Sequence, residues 1–327
     1  MTMRVLVTTS YLKPGGEVDR LLSDAGFDTV FTTPAQRQTS GTPLADLVRD
    51  ADGIVAGTDA FTADVIESAP RLKVFGRCGV GYDNIDLAAA NRCGIAVTFT
   101  PGANRRSVAE HVLALMLNCA RLIPQNIASV RAGRWEQRSG RELDGAVLGL
   151  IGLGSIGKTV ARLALALGMR VVAHDPYPDN DFLAETGVQA HTFDEVLAEA
   201  DFLSLHIFLD DSTRHLIDAS ALRKVKPGAF LINTARGEVV DEAALADALE
   251  NGALAGAALD VLAEEPMPLD SRLRRLDNVV VTAHIGAATE QARSRSSLMA
   301  AQQVIDALQG RVPANLVNPG HAALERR

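Results

Sequence analysis

A chain of 327 residues is long enough for two domains, each with its own core. Its net charge of −8 and pI near 5.4 leave no basic surface suited to nucleic acid or an anionic membrane. No apolar run is long enough to span a bilayer and MTMRVLVTTS carries no signal peptide, so a cytoplasmic protein with no membrane partner is expected. Cys78, Cys93 and Cys119 are odd in number and spaced unlike any zinc pattern; they read as buried free thiols, with no metal site.

Taken in order, residues 3–8 predict a strand and 16–25 the helix after it. Further strands are expected at 28–31, 53–56, 72–75 and 95–98, with helices at 43–51, 62–69 and 85–93 between them. Such alternation means a parallel sheet with helices on both faces. Thr100, Pro101 and Gly102 punctuate the chain before a long apolar helix at 107–121, which places a domain crossing there. Strands then follow at 147–151, 170–173, 202–206, 229–233, 255–260 and 279–282. A last helix, at about 289–309, carries the chain back to the first domain. The predicted fold is therefore α/β: two doubly wound, Rossmann-like parallel-sheet domains. A nucleotide domain, 102–288, is inserted into a discontinuous substrate domain, 1–101 and 289–327, and the tail from Val312 reads as a loosely held end.

The stretch from Val147 to Asp175 is the most informative. A short apolar strand runs into Gly152, Gly154 and Gly157 at the spacing G-x-G-x-x-G, then a helical pattern, a stop at Gly168 and a second strand ending at Asp175. Gly152 permits a tight turn, Gly154 lets a pyrophosphate approach the backbone, and Gly157 lets helix and strand pack closely. Amides around Ser155 and Ile156 would face the phosphates. Asp175, about 18 residues past Gly157, can accept both ribose hydroxyls and repel a 2′-phosphate, so NAD is the expected cofactor.

Three more segments stand at the carboxyl ends of predicted strands, where ligands bind in doubly wound sheets. LINTARGEVVDEAAL carries Arg236, GAALDVLAEEP carries Asp260 and Glu265, and NVVVTAHIGAAT carries His284. With GRCGVGYDNID and PGANRRSVAEHVLALML, these segments closely resemble the D-isomer-specific 2-hydroxyacid dehydrogenases, from about residue 50 to 310. In wording they are nearest the phosphoglycerate dehydrogenase branch, in a short form that lacks a regulatory domain.

The resemblance implies NAD-linked interconversion of a small D-2-hydroxy acid and its 2-oxo acid. Arg236, Glu265 and His284 would be catalytic. Arg236 offers a planar fork to the substrate carboxylate, His284 exchanges a proton with the substrate oxygen, and Glu265 orients and charges the imidazole. Asp260 would hold the nicotinamide carboxamide. Thr234, Ala235, Arg236, His284 and Gly286 would line the cofactor, and Thr58, Val80, Gly81, Asn104 and Arg236 the substrate. Glyoxylate or hydroxypyruvate reduction is the alternative chemistry. A non-catalytic NAD(H)-sensing protein of the co-repressor type is the alternative class.

Two departures from the branch stand out. Gly57 and Thr58 occupy the loop where phosphoglycerate dehydrogenases place an Arg, for the substrate phosphate, and a small polar residue; Arg105, Arg106, Arg138 and Arg141 are the candidate substitutes. Ala283 stands where a Pro usually precedes the His. The run Arg131, Arg134, Arg138 and Arg141 reads either as a solvated face or, with Trp135 as an anchor, as the arm of a homodimer.

Overall fold

The computed structural model describes residues 2–318 and divides the chain into two compact units, 1–104 with 290–327, and 105–289. The first unit holds strands β1 (Arg4–Val7), β2 (Asp28–Phe31), β3 (Gly53–Ala56), β4 (Val74–Arg77) and β5 (Ala96–Thr98), all parallel, in the order β2-β1-β3-β4-β5. Helices α1 (Glu17–Asp24), α2 (Pro34–Ser40), α3 (Leu44–Val48), α4 (Ala63–Glu67) and α5 (Leu87–Arg92) connect them.

The second unit begins with α6 (Arg105–Ala120) and α7 (Ile123–Arg131). Its strands are β6 (Val147–Ile151), β7 (Arg170–His174), β8 (Gln189–Ala190), β9 (Phe202–Leu205), β10 (Ala229–Asn233), β11 (Leu254–Leu259) and β12 (Val279–Val281). They are again all parallel, in the order β12-β11-β10-β9-β6-β7-β8. Helices α8 (Ser155–Ala166), α9 (Asn180–Thr186), α10 (Phe193–Glu199), α11 (Ala219–Leu222) and α12 (Glu242–Glu250) complete it. The last helix, α13 (Glu290–Leu308), belongs to the first unit.

Burial explains why these runs become strands. Every residue of β6, β9 and β10 is buried, as expected for parallel strands covered on both faces. Each sheet separates two apolar clusters, and Ala300, Ala301 and Val304 of α13 pack into one cluster of the first unit. That packing depends on absent side chains. A Cβ on Gly76 would lie 2.5 Å from the Ala300 carbonyl oxygen, and one on Gly53 2.8 Å from Val304 Cγ1.

The structure departs from the sequence expectations in several places. β4 lies two residues later than expected, because Leu72 closes a turn on Ala69 before the strand begins. Helices α2, α9, α10, α11 and α12 and the two-residue β8 were not anticipated. The helices rely on local caps. Thr33 with Gln36 and Thr192 with Glu195 form reciprocal capping boxes, and Asp179, Asp218 and Asp241 cap α9, α11 and α12. Cys93 is exposed, not buried, at the end of α5. The segment after Val312 is held, not loose: Leu316 bridges Thr98, and the buried Asn318 accepts the Val97 amide at 2.7 Å. The remainder of the expected tail lies outside the described residues.

If Gly76 admits α13 onto the sheet, Gly76→Ala forces a methyl against a backbone carbonyl that can move only with its helix. Stability should fall by about 1–3 kcal/mol, the usual cost of overpacking. An unshifted urea midpoint would refute the packing account.

Candidate active site

In the second sheet the chain winds from β6 to β7 and β8, then crosses to the other side of β6 and continues through β9 to β12. The carboxyl ends of β6 and β9 therefore flank a switch point, where a doubly wound sheet opens a crevice. The glycine turn sits there. Gly152 has φ +96, and a Cβ on it would lie 2.4 Å from the His206 carbonyl oxygen just past β9. A Cβ on Gly157 would lie 2.3 Å from the Gly152 oxygen, which is why α8 can start so close to β6. Burial pushes the His206 imidazole down to about 4, so the ring beside this turn is neutral at pH 7.

Gly154 differs from both. A methyl there would meet nothing within 4 Å, and the residue caps α8 without any side-chain hydrogen bond. The first turn of a twelve-residue helix thus points its amides and the positive end of its dipole into open space. Asp175, directly after β7, braces the turn: its Oδ2 accepts the Leu153 amide at 2.7 Å and its Oδ1 the Tyr177 amide at 2.9 Å. Each carboxylate oxygen keeps a second lone pair for a ribose hydroxyl. Past β10, Thr234 Oγ1 is buried without a hydrogen-bond partner among the described residues. An uncapped helix start, a glycine facing open space and an orphaned hydroxyl on one sheet edge fit a dinucleotide such as NAD.

The same edge carries the titratable groups. Asn233, buried at the end of β10, accepts the Ala235 amide at 3.0 Å and donates to the Arg236 carbonyl at 2.8 Å, shaping the turn that presents Arg236. Arg236 Nη1 donates to the Ala235 carbonyl at 2.7 Å. Gly237 then passes so near the next loop that a Cβ would lie 1.9 Å from the Leu262 carbonyl carbon. That loop folds Glu265 back, with Oε1 accepting the Leu262 amide at 3.1 Å and Oε2 3.0 Å from His284 Nδ1. Burial opposes ionisation of Glu265, but the His284 and Leu262 hydrogen bonds outweigh it and hold the carboxyl below its ordinary range. A pocket of about 670 Å³ opens beside the pair, lined also by Leu262, Met267, Leu276 and Val281.

His284 has φ +53, a left-handed conformation that costs a non-glycine residue on the order of 1 kcal/mol and persists only where neighbours enforce it. Asp260 is the enforcer. Its carbonyl oxygen accepts the His284 amide at 2.9 Å; its carboxylate accepts the Ile285 amide at 2.8 Å and the Gly286 amide at 2.7 Å. Asp260 is only 2% exposed. Asp260 and Gly286, expected to hold the carboxamide and to line the cofactor, lie together here, the carboxylate accepting the Gly286 amide. Burial raises the tendency of Asp260 to protonate, yet its hydrogen bonds prevail and keep it ionised.

The remaining expected substrate residues belong to the first unit. Its own switch point lies between β1 and β3, and Gly57 sits there with its amide on Thr8 Oγ1 at 3.1 Å. Thr58 beside it is exposed, and Asn104 Oδ1 is buried without a hydrogen-bond partner among the described residues. Gly79 is pinned by Thr100 Oγ1 at 2.9 Å, while the following amides of Val80 and Gly81 have no acceptor among the described residues. His111, Thr282, His206 and Gly237, which shape the second unit's edge, were not singled out from the sequence.

The basic run does not form one helical face. Only Arg131 lies in α7, Arg134 and Arg138 pair with Glu136 in an irregular segment, and Arg141 stacks over Phe230 at 5.2 Å. Among the described residues, no helix is long and apolar enough to cross a membrane.

Comparison with known proteins matches residues 113–286 to the pattern of the D-isomer specific 2-hydroxyacid dehydrogenase, NAD binding domain. A D-3-phosphoglycerate dehydrogenase of Methanocaldococcus jannaschii is 44% identical over 280 residues, covering 84% of this chain and 53% of that protein. The chain thus spans about half the length of several phosphoglycerate dehydrogenases that it matches. A glyoxylate reductase of Korarchaeum cryptofilum is 40% identical over 282 residues, with 84% of this chain and 85% of that protein covered. A D-lactate dehydrogenase from Aquifex aeolicus, solved with NAD and lactic acid, superposes with a TM-score of 0.85 at 31% identity, covering 96% of this chain and 98% of that one. On the matched pattern and on relatives similar across most of its length, the chain belongs to the D-isomer specific 2-hydroxyacid dehydrogenase family.

Proposed function

We propose that the protein is an NAD-dependent dehydrogenase interconverting a small D-2-hydroxy acid and its 2-oxo acid. The observation that carries this reading is the Glu265–His284 pair, 3.0 Å apart, on the same sheet edge as Arg236 and the open glycine turn. NADH would supply the hydride for reduction of the 2-oxo acid. The Gly154 turn and the α8 amides hold its pyrophosphate, Asp175 its ribose hydroxyls, and Thr234 and Ala235 line it. Glu265 holds the Nδ1 side of the imidazole and orients the ring, which leaves Nε2 to give a proton to the carbonyl oxygen. In the oxidative direction Nε2 takes that proton back. Arg236 offers parallel N–H donors to the substrate carboxylate. The Val80 and Gly81 amides, with Thr58 and Asn104, are assigned to substrate binding in the first unit.

The substrate is read as an acid without a phosphate, such as glyoxylate or hydroxypyruvate. A Cβ on Gly57 would already lie 3.1 Å from Thr9 Cα, and three of the four candidate substitute cations have other work, Arg105 being the exposed exception. Arg106 pairs with Glu110, Arg138 with Glu136, and Arg141 stacks on Phe230. The deciding experiment is NADH oxidation with glyoxylate, hydroxypyruvate, pyruvate and 3-phosphohydroxypyruvate. An unphosphorylated acid should lead the phosphorylated one by roughly tenfold or more in kcat/KM. The opposite order would restore the phosphoglycerate reading, and NADH binding without any turnover would favour a sensor.

A homodimer is part of the same reading, because Leu117, Ile123, Ile127, Val130 and Trp135 are exposed apolar side chains within one stretch of the second unit. Sedimentation should give about twice 34.6 kDa; a monomer at micromolar concentration would remove it.

His284→Gln should lower kcat by about 10²–10⁴-fold, the range for a lost general acid, with NADH affinity retained. Equal turnover would reject the role. Gly154→Ala should leave the unfolding midpoint unchanged, since the methyl meets no protein atom within 4 Å, yet weaken NADH binding by about 1–3 kcal/mol. Undiminished binding in a fluorescence titration would place the pyrophosphate elsewhere.

A further inference from the structure

Behind the acid–base pair lies a polar cluster that the reaction scheme leaves unused. His111, on α6, is largely buried, with Nε2 3.1 Å from Thr282 Oγ1 and 3.2 Å from Asp260 Oδ1. Thr282 gives its own hydroxyl hydrogen to Asp260 Oδ1 at 2.5 Å, so toward His111 it can only accept. The other neighbour of Nε2 is a carboxylate. Both are acceptors, and Nε2 therefore carries a hydrogen.

With that hydrogen shared between Thr282 Oγ1 and Asp260 Oδ1, the Asp260 carboxylate has four donors: Thr282 Oγ1, the Ile285 and Gly286 amides, and His111 Nε2. Four is about the capacity of a carboxylate. Three of the donors lie in the segment 282–286 that carries His284. His111 alone among the four comes from another element, and it fixes the carboxylate relative to α6. Gly286 completes the contact: a Cβ on it would lie 3.0 Å from Asp260 Oδ2 and 3.7 Å from His111 Cδ2. The left-handed backbone of His284 is thus held through Asp260, and Asp260 is held in turn by His111.

We propose that His111 is a positioning residue, which through Asp260 sets the orientation of His284 against Glu265; this rests on the acid–base reading of His284. His111 acts through Asp260 and exchanges no proton in the reaction. Removing its donor frees the carboxylate to turn, and the loop that presents the imidazole turns with it. A displacement of the acid by about 1 Å is enough to cost on the order of a hundredfold in rate.

The test compares His111→Leu with His111→Gln, which restores a side-chain N–H donor at similar reach. In turnover of the best 2-oxo acid, His111→Leu should lower kcat by roughly ten- to a hundredfold. KM for NADH should stay within about twofold, and His111→Gln should recover most of kcat. A wild-type kcat in the leucine variant, or equal losses in both variants, would overturn the proposal. Histidine ring NMR supplies a readout independent of turnover. The His284 signals, assigned with His284→Gln, should shift in His111→Leu and return in His111→Gln; unmoved signals would overturn the proposal. In the wild-type protein, which raises no question of folding, His111 should show its hydrogen on Nε2, and a bare Nε2 would also overturn it. Absence of turnover in the wild-type protein would instead defeat the acid–base reading, while the ring signals still decide the role of His111.

Discussion

Parallel pairing is the constraint on which the rest depends. Strands that all run one way present all their carboxyl ends on one edge, and each connection must cross back over the sheet before the next strand begins. In the second unit the Gly152 turn, Asp175, Arg236, Asp260 and His284 all follow directly on strand ends, though they are spread over more than a hundred residues of sequence. Burying the strands on both faces brings these segments to one edge, and the hydrogen bonds of Asp260 and Glu265 then fix His284 within it.

This also explains what the sequence could disclose. Buried parallel strands are near-continuous apolar runs, so β3, β6 and β10 were legible to the residue. The glycine turn was legible because its three glycines answer three steric demands, and the structure places a carbonyl against two of them and open space at the third. The short helices were harder, since four to nine residues carry too little periodicity to stand out. The signals that fix α2 and α10 are the capping pairs Thr33–Gln36 and Thr192–Glu195, which could have been read locally. His111 had no such signal. Its partners are 149 and 171 residues away, and on a helical repeat it is only one polar residue near an apolar face.

Electrostatically, the site separates two carboxylates by task. Asp260 is almost wholly enclosed and spends its charge on four donors that set backbone geometry. Glu265 is 40% exposed at its side chain and gives one oxygen to an amide and the other to an imidazole. Burial penalises both, and hydrogen bonding wins in both. The buried charge serves shape, and the half-exposed one serves proton transfer. An apolar residue at 260 would leave the Ile285 and Gly286 amides without their acceptor, so the negative charge in the interior is the counterpart of a strained backbone outside it.

The close approach of Gly57 to the end of β1 has an evolutionary consequence. A Cβ there lies within 3.2 Å of both the Thr8 carbonyl oxygen and Thr9 Cα, so any side chain at this point asks the neighbouring backbone to give by a few tenths of an ångström. Gaining an anion anchor in this loop by one substitution therefore carries a packing cost at the end of β1, which a second substitution easing the Thr8–Thr9 backbone would relieve.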